Sequence, residues 1–452
     1  MGVLAAPSLR TLVLACGALT MGVFGTLFSN GYRFTGYHGD FAAAAAACYQ
    51  TAGLFGIAAG FCLVCHPPGL WEAVSGMASA SAASTTAAAV RQLSARRRAR
   101  DYLALGKHRL SALVALTATA GYGLRSDESP LTSPAAAASA GWTTAGTFLT
   151  ALSANTLNQM YEIRSDALMG RTRARPLPAG RLSLMHAGLF AAATAGAGLG
   201  ILKTKTNDTA AALGAANIAL YAGVYTPLKA VSVANTWVGA VVGAVPPMLG
   251  WAAASGGDLS LATEAGAYHL GAALFLWQIP HFHALAVMAR ADYAAARLRM
   301  LAVANPVANA RWARLTAAAL VPFGAGLVHE DVTSEWFGLE AAAGGAWLYA
   351  RSLRLSADPS SVAAARPLFR ASVLYLPVVL AAMLAHKRPR EEVAAEVAAR
   401  SRAEAAAAVA MDATTDGEGL VDTHVAAVPW VLLAPFPFLP IVPLHITTSS
   451  KP

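Results

Sequence analysis

Apolar residues run through this chain in long blocks separated by short polar breaks. Nine central blocks, near residues 107–125, 135–157, 184–202, 208–228, 235–254, 265–288, 309–328, 335–355 and 367–386, are each about twenty residues long. That length carries an α-helix across the hydrocarbon core of a bilayer. Two further blocks lie upstream, near 10–29 and 42–65, and a proline-interrupted apolar stretch runs from Val425 to Ile446. The pattern predicts an all-α, polytopic membrane protein with a nine-helix bundle at its centre and extra N-terminal helices as an open addition. Many blocks are rich in Ala and Gly, which lowers their hydropathy but lets helices approach closely in lipid.

Composition supports the lipid bilayer as the solvent. With 56% hydrophobic and 13% charged residues over 452 positions, the chain is too apolar for an ordinary soluble enzyme. The charges sort by loop. One side carries Arg96 to Arg100, the polar stretch 155–181, Lys229, Arg290 to Arg299, and Arg351 with Arg354. The other carries Asp258, Glu264, Glu330, Asp331 and Glu335. Basic loops face the cytoplasm or the mitochondrial matrix. Lys387, Arg388 and Arg390 break this order. The net charge of +9 therefore reads as topology; no interleaving of basic and aromatic residues points to nucleic acid.

Residues 1–100 contain two acids, Asp40 and Glu72, and the segment 77–100 is Ser-, Ala- and Arg-rich with none. That is transit-peptide composition, but 76 residues precede it. Either translation begins at Met77, the reading favoured here, or 1–76 is an extra hydrophobic hairpin. The expected organisation is a hydrophobic extension over 1–76, a basic segment over 77–100, a membrane domain over 101–388 and a tail over 389–452. After the Met-Gly start, Ala6 stands where myristoylation needs Ser or Thr. All four cysteines (Cys16, Cys48, Cys62, Cys65) lie upstream, and Cys62, Cys65 and His66 match C-x-x-C-H, a haem-attachment pattern short enough to arise by chance.

The polar stretch holds the chemistry. Asn158, Glu162 and Asp166 are four apart, so on a helix each is turned about 40° from the last and they share a face, with Asn155 about 60° to the side. Such a rack of oxygen donors suits a hard divalent cation such as magnesium, commonly bound together with substrate phosphates. Arg171 and Arg175 repeat the spacing and suit phosphate recognition. Solvated helix ends and a topogenic loop are the plainer reading, which suffices for Arg173 and Arg181. It is weaker for the rack, because polar groups at a bilayer edge are expensive unless used.

These residues carry a resemblance. NQMYE (158–162), DALM (166–169), RT (171–172) and RPL (175–177) resemble the first signature of the haem O synthases, the protohaem IX farnesyltransferase family within the UbiA superfamily of intramembrane prenyltransferases. YTPLK (225–229), NTWVGAVVGAVPPMLGW (235–251), WQIPHF (277–282) with DY (292–293), and the stretches 102–122 and 368–377 agree, so the likeness covers about residues 100–388. It departs at His108, where the family usually has Pro, and at Arg297, where a small residue is expected.

The resemblance implies transfer of a farnesyl group from farnesyl diphosphate to a vinyl group of haem B, giving haem O on the route to haem A. A mitochondrial inner membrane is the implied location, with a bacterial plasma membrane or a plastid membrane as alternatives, and a downstream haem A-forming enzyme is the implied partner. Asn158, Glu162 and Asp166 become ligands for Mg2+, and Arg171, Arg175, Tyr225 and Lys229 contacts for diphosphate. Asn155, Arg171, Arg175 and His281 form the catalytic set, Asn235 and Asp292 a second polar site, and His281 with His283 the haem contacts. Two alternatives stay open: a relative acting on a quinone precursor or chlorophyllide, and a non-catalytic haem-handling transporter.

Overall fold

The computed structural model describes residues 97–415, with side chains to 407. The upstream spans, the Met77 start, the C-x-x-C-H match and the Val425–Ile446 stretch lie outside the described residues. Residues 97–105 are helical. The chain then runs α1 (His108–Arg125), α2 (Pro134–Tyr161), α3 (Ile163–Leu168), α4 (Leu184–Lys205) and α5 (Asp208–Ala219). A π-helix (Leu220–Tyr225) leads into α6 (Thr226–Val231), followed by α7 (Asn235–Ala254), α8 (Ala265–Met288), α9 (Arg290–Ala295), α10 (Leu301–Ala304) and α11 (Pro306–Ala319). The series closes with α12 (Phe323–His329), α13 (Glu335–Ala357), α14 (Val362–Ala385) and α15 (Arg390–Thr415). No strand occurs among the described residues, which fits the expected all-α class.

Each central block falls on a helix or a broken helix. Five segments are long and apolar enough to cross a membrane: α4, the continuous Asp208–Val231 unit, α7, α8 and α14. In α2, Thr143, Thr144 and Thr156 turn their hydroxyls back onto the Ser139, Ala140 and Leu152 carbonyls of their own helix. That spares those hydroxyls from needing water. Small residues let backbones touch where α1 crosses α7: a Cβ on Gly250 would lie 1.7 Å from the Ala118 carbonyl oxygen, and one on Gly121 2.0 Å from that of Pro247. Leu270, Leu274, Phe337, Leu348, Leu355 and Leu368 fill the main core among α8, α13 and α14.

The two departures from the resemblance are accommodated by the backbone. His108 is the first residue of α1, where a proline would give up no helical hydrogen bond. Arg297 sits at φ 54, just past α9, with Leu298 N–H donating to Tyr293 O. This is the left-handed helix stop that favours residues with little or no side chain.

The basic cluster at 387–390 is neutralised in place. Arg388 pairs with Asp331, and Arg390 reaches Glu264 at 3.4 Å. Lys387 donates to the Gly123 and Ser126 carbonyls at the end of α1, and burial pushes its ammonium down to about 8. Glu264, 3% exposed, accepts both from Arg125 at 2.8 Å and from Trp251 Nε1 at 2.7 Å.

The unit from residue 394 onward contains most of α15, a charged helix of low apolarity.

Because Glu264 ties α1, α7 and the 387–390 turn together, Glu264→Ala leaves Arg125 only its exposed partner Asp127. We expect a loss of up to about 3 kcal/mol, read as a lower Tm in detergent, with Glu264→Gln falling between. An unchanged Tm would show that the cluster is not a structural lock.

Candidate functional site

The site is assembled where α2 runs out. The helix breaks for one residue at Glu162 (φ −89, ψ 10) before α3. Spacing alone predicted an unbroken rack, and the backbone nearly preserves it: Glu162 N–H donates to Asn158 O at 3.0 Å, and Asp166 N–H to Glu162 O at 2.7 Å. Asn158 and Asp166 are fully buried and Glu162 is 7% exposed.

Each rack residue offers one oxygen to a cation from another segment. Lys107 Nζ donates to Asn158 Oδ1 at 2.6 Å, Lys229 Nζ to Glu162 Oε1 at 2.8 Å, and Arg175 to Asp166 Oδ2 at 2.6 Å. Burial would raise the Glu162 carboxyl, but the Lys229 and Lys107 ammonium groups overcome it and hold it below the usual carboxylate range. Asn158 is fixed from its other end, donating to Thr226 Oγ1 at 2.9 Å. Asn155 donates to Ser111 Oγ at 3.0 Å and accepts from the Tyr221 hydroxyl at 3.1 Å.

Pro227 explains the widened helix on the facing side. Its ring has no N–H and clashes with the preceding turn of an α-helix, and a π-helical turn immediately before it opens that turn. The result sets the Tyr221 and Tyr225 rings 5.3 Å apart, with Lys229 Nζ 4.4 Å from the Tyr225 centroid.

The structure brings Asn155, Asn158, Glu162, Asp166, Arg175 and Lys229 together at the end of α2 in three side-chain groups: Asn155 and Asn158 with Tyr221, Lys107 and Thr226; Glu162 with Lys229, which lies over the Tyr225 ring; and Asp166 with Arg175. Arg171 is exposed on the following turn, with no ion pair to any of the described residues. Asp292 and Asn235 brace loops: Asp292 Oδ1 accepts from Gly170 N–H at 3.0 Å, and Asn235 donates to Ser232 O at 2.6 Å and Arg299 O at 2.8 Å. Arg299 N–H in turn donates to Lys229 O at 2.7 Å. The 289–300 segment thus holds both the arginine turn and the Lys229 turn.

His281 lies apart from the rack, on α8. Its ring is stacked between Trp277 and Phe369, both at 5.0 Å. Ser372 Oγ donates to Phe369 O and so is left to accept from His281 Nδ1–H at 2.8 Å. That places the free lone pair on Nε2. His283 does not join it. Two residues on, it points to another side of α8, fully buried, with its ring edge against Trp237 at 6.1 Å and neither nitrogen hydrogen-bonded.

Sequence reasoning missed Lys107 and Tyr221. Lys107 sits in a left-handed turn (φ 47, ψ 48) between two helices, where it reads as an interfacial anchor. Tyr221 is four residues before Tyr225, the only sequence signal it offers.

The donor set fits a hard divalent cation. Asp166 Oδ1 is buried with no hydrogen-bond partner, an unspent acceptor of the kind that a cation takes up. Among the described residues no three His, Cys, Asp or Glu converge, so the amide of Asn158 and oxygens of a bound anion would have to complete the coordination.

Comparison with known proteins places this geometry. Residues 114–373 match the UbiA prenyltransferase family. The chain is similar to the mitochondrial protoheme IX farnesyltransferases of Pyricularia oryzae (45% identical, covering 65% of this chain and 56% of that one) and Arabidopsis thaliana (43%; 64% and 65%). The human protein of the same name is 39% identical (63% and 62%). The chain thus spans less than two thirds of the length of these relatives. A solved structure of digeranylgeranylglyceryl phosphate synthase superimposes with a TM-score of 0.53 at 14% identity, covering 64% of this chain and 98% of that one, a likeness of fold alone.

If Asp292 braces the arginine turn, Asp292→Ala should free it. Tryptic cleavage after Arg171 and Arg173 then accelerates on the order of threefold, the equivalent of one hydrogen bond at about 0.5–1.5 kcal/mol. Unchanged cleavage combined with weakened metal binding would make Asp292 a ligand instead.

Proposed function

The chain belongs to the UbiA prenyltransferase family, and from that premise we propose that it transfers the farnesyl group of farnesyl diphosphate to a vinyl group of haem B, forming haem O in the mitochondrial inner membrane. The observation that carries this is the buried rack of Asn158, Glu162 and Asp166 faced by Lys107, Lys229 and Arg175. Similarity to protohaem farnesyltransferases over the helical core supports the acceptor.

Ionising an allylic diphosphate makes a carbocation and a polyanionic leaving group. Asn158, Glu162 and Asp166 would hold Mg2+, which supplies Lewis-acid stabilisation of the departing diphosphate. Arg175, Lys229 and the exposed Arg171 neutralise charge as it develops, which acts on the transition state more than on the bound substrate. The electron-rich faces of Tyr221 and Tyr225 lie beside these groups and suit a nearby cation. Apolar helix faces exclude water from the cation until the vinyl carbon attacks it, and water then adds to the haem-borne cation to give the hydroxyethylfarnesyl chain. His281, sandwiched by aromatic rings and presenting Nε2, suits a flat porphyrin, either as a ligand to iron or as an acceptor of the proton lost by the adding water. The product is the substrate for a haem A-forming enzyme.

The test is the product. Membranes carrying the protein, incubated with haem B, farnesyl diphosphate and magnesium, should yield a haem heavier by a farnesyl group and one hydroxyl. Asp166→Ala should lower the rate by about 10²–10³ with the helical fold retained. His281→Ala should lose haem binding or haem farnesylation while keeping farnesyl diphosphate binding. Prenylation of a quinone precursor or chlorophyllide with haem B untouched would keep the family and overturn the acceptor. A folded protein that prenylates nothing would favour a transporter.

A further inference from the structure

We propose that Lys107, Lys229 and Arg175 are resident occupants of the rack, so that a divalent cation enters only together with a diphosphate, and that Lys107 is the positioning residue that sets this coupling. The inference rests on the prenyl diphosphate reading above.

Each residue of the rack is engaged by one cation. Lys107 holds Asn158 at 2.6 Å, Lys229 holds Glu162 at 2.8 Å and Arg175 holds Asp166 at 2.6 Å. Arg175 and Lys229 match the two carboxylates, and Lys107 adds up to one further positive charge, within a buried cluster. A bare divalent cation would add two more positive charges where little water screens them, an unfavourable step at low effective dielectric. A prenyl diphosphate carries roughly two to three negative charges at neutral pH, so the metal and the anion together bring the cluster close to neutrality. The anion also offers each lysine and arginine a replacement oxygen. As the side chains move onto phosphate, the rack oxygens are released to the metal, and Asp166 Oδ1 is already without a partner.

Lys107 is the member with no carboxylate of its own, since it faces the neutral amide of Asn158. Its backbone is held at φ 47, a conformation that L-residues other than Asn and Asp rarely adopt. The turn is fixed on both sides by Lys107 N–H donating to Ala104 O and Ser111 N–H donating to Lys107 O. A strained turn that delivers one ammonium to one rack oxygen is an arrangement for holding charge at that point.

Titrating the full-length protein in nanodiscs with Mn2+, with free ion read by electron paramagnetic resonance and corrected for Mn2+ bound by pyrophosphate in solution, tests this. Inorganic pyrophosphate should tighten Mn2+ binding by about tenfold or more. Lys107→Met should tighten binding of Mn2+ alone by about threefold to tenfold and shrink the pyrophosphate effect, whereas Lys107→Arg keeps the wild-type pattern. A purely structural lysine would not raise metal affinity when removed. Equal Mn2+ affinity with and without pyrophosphate in the wild type overturns the inference, as does a folded Lys107→Met protein whose affinity for Mn2+ alone is unchanged. Should Lys107→Met fail to fold, Lys107→Gln gives the same comparison, and the wild-type pair decides on its own. Failure here leaves the transferase reading standing, because that reading is tested by haem product and not by metal uptake.

Discussion

Buried charge is tolerable only when it is matched, and at this bilayer edge the matching decides the architecture. Glu162 and Asp166 are removed from water at the end of a long helix, and each is neutralised by a cation delivered from elsewhere in the chain. Lys229 arrives on a helix opened by a π-turn, Arg175 from the turn that follows α3, and Lys107 from the left-handed joint before α1. Remove the carboxylates and these segments lose the electrostatic reason for converging. On the proposed transferase reading the same pairing would serve the chemistry, because cations held against carboxylates are already in place for a polyanion, and preorganised charge is worth most where solvent is scarce.

The opposite end of the bundle obeys the same rule with a different outcome. Arg125, Glu264, Trp251 and Arg390 form a closed set in which the carboxylate is fully engaged. At the rack end, by contrast, Asp166 retains an unused oxygen and Arg171 stands free of ion pairs among the described residues. A satisfied cluster holds helices together. A cluster with unspent donors and acceptors has capacity left for a ligand.

The all-α membrane class was legible because lipid imposes a length and a hydropathy on crossing segments, and five of the nine expected spans meet both among the described residues, while the blocks near 107–125, 135–157, 309–328 and 335–355 are helical without doing so. The rack was legible because four-residue spacing puts Asn158, Glu162 and Asp166 on one face, and hydrogen bonds carry that spacing through the break at Glu162. Lys107 was not, since a left-handed joint has no periodicity to reveal where its side chain goes. The partners of Arg388 and Arg390, Asp331 and Glu264, were not legible because they are distant in sequence. Asn235 and Asp292 were expected to form a second polar site. Their side chains instead bond main-chain groups of neighbouring turns, a use that residue type alone does not disclose.

Helix geometry also separates the two histidines of the HFH triplet. Residues two apart on a helix are rotated by about 200°, so His281 and His283 cannot share one ligand face. The neighbours then distinguish them. Around His281, two aromatic planes stack on the imidazole and a serine hydroxyl, its own proton committed to Phe369 O, fixes the hydrogen on Nδ1. Around His283, Trp237 closes over a ring that has no hydrogen-bonded nitrogen and no exposure. The 289–300 segment, which follows the end of α8, is bonded to Gly170 and to Lys229. The helix that carries His281 is therefore continuous in chain with the segment that bonds the Gly170 and Lys229 turns.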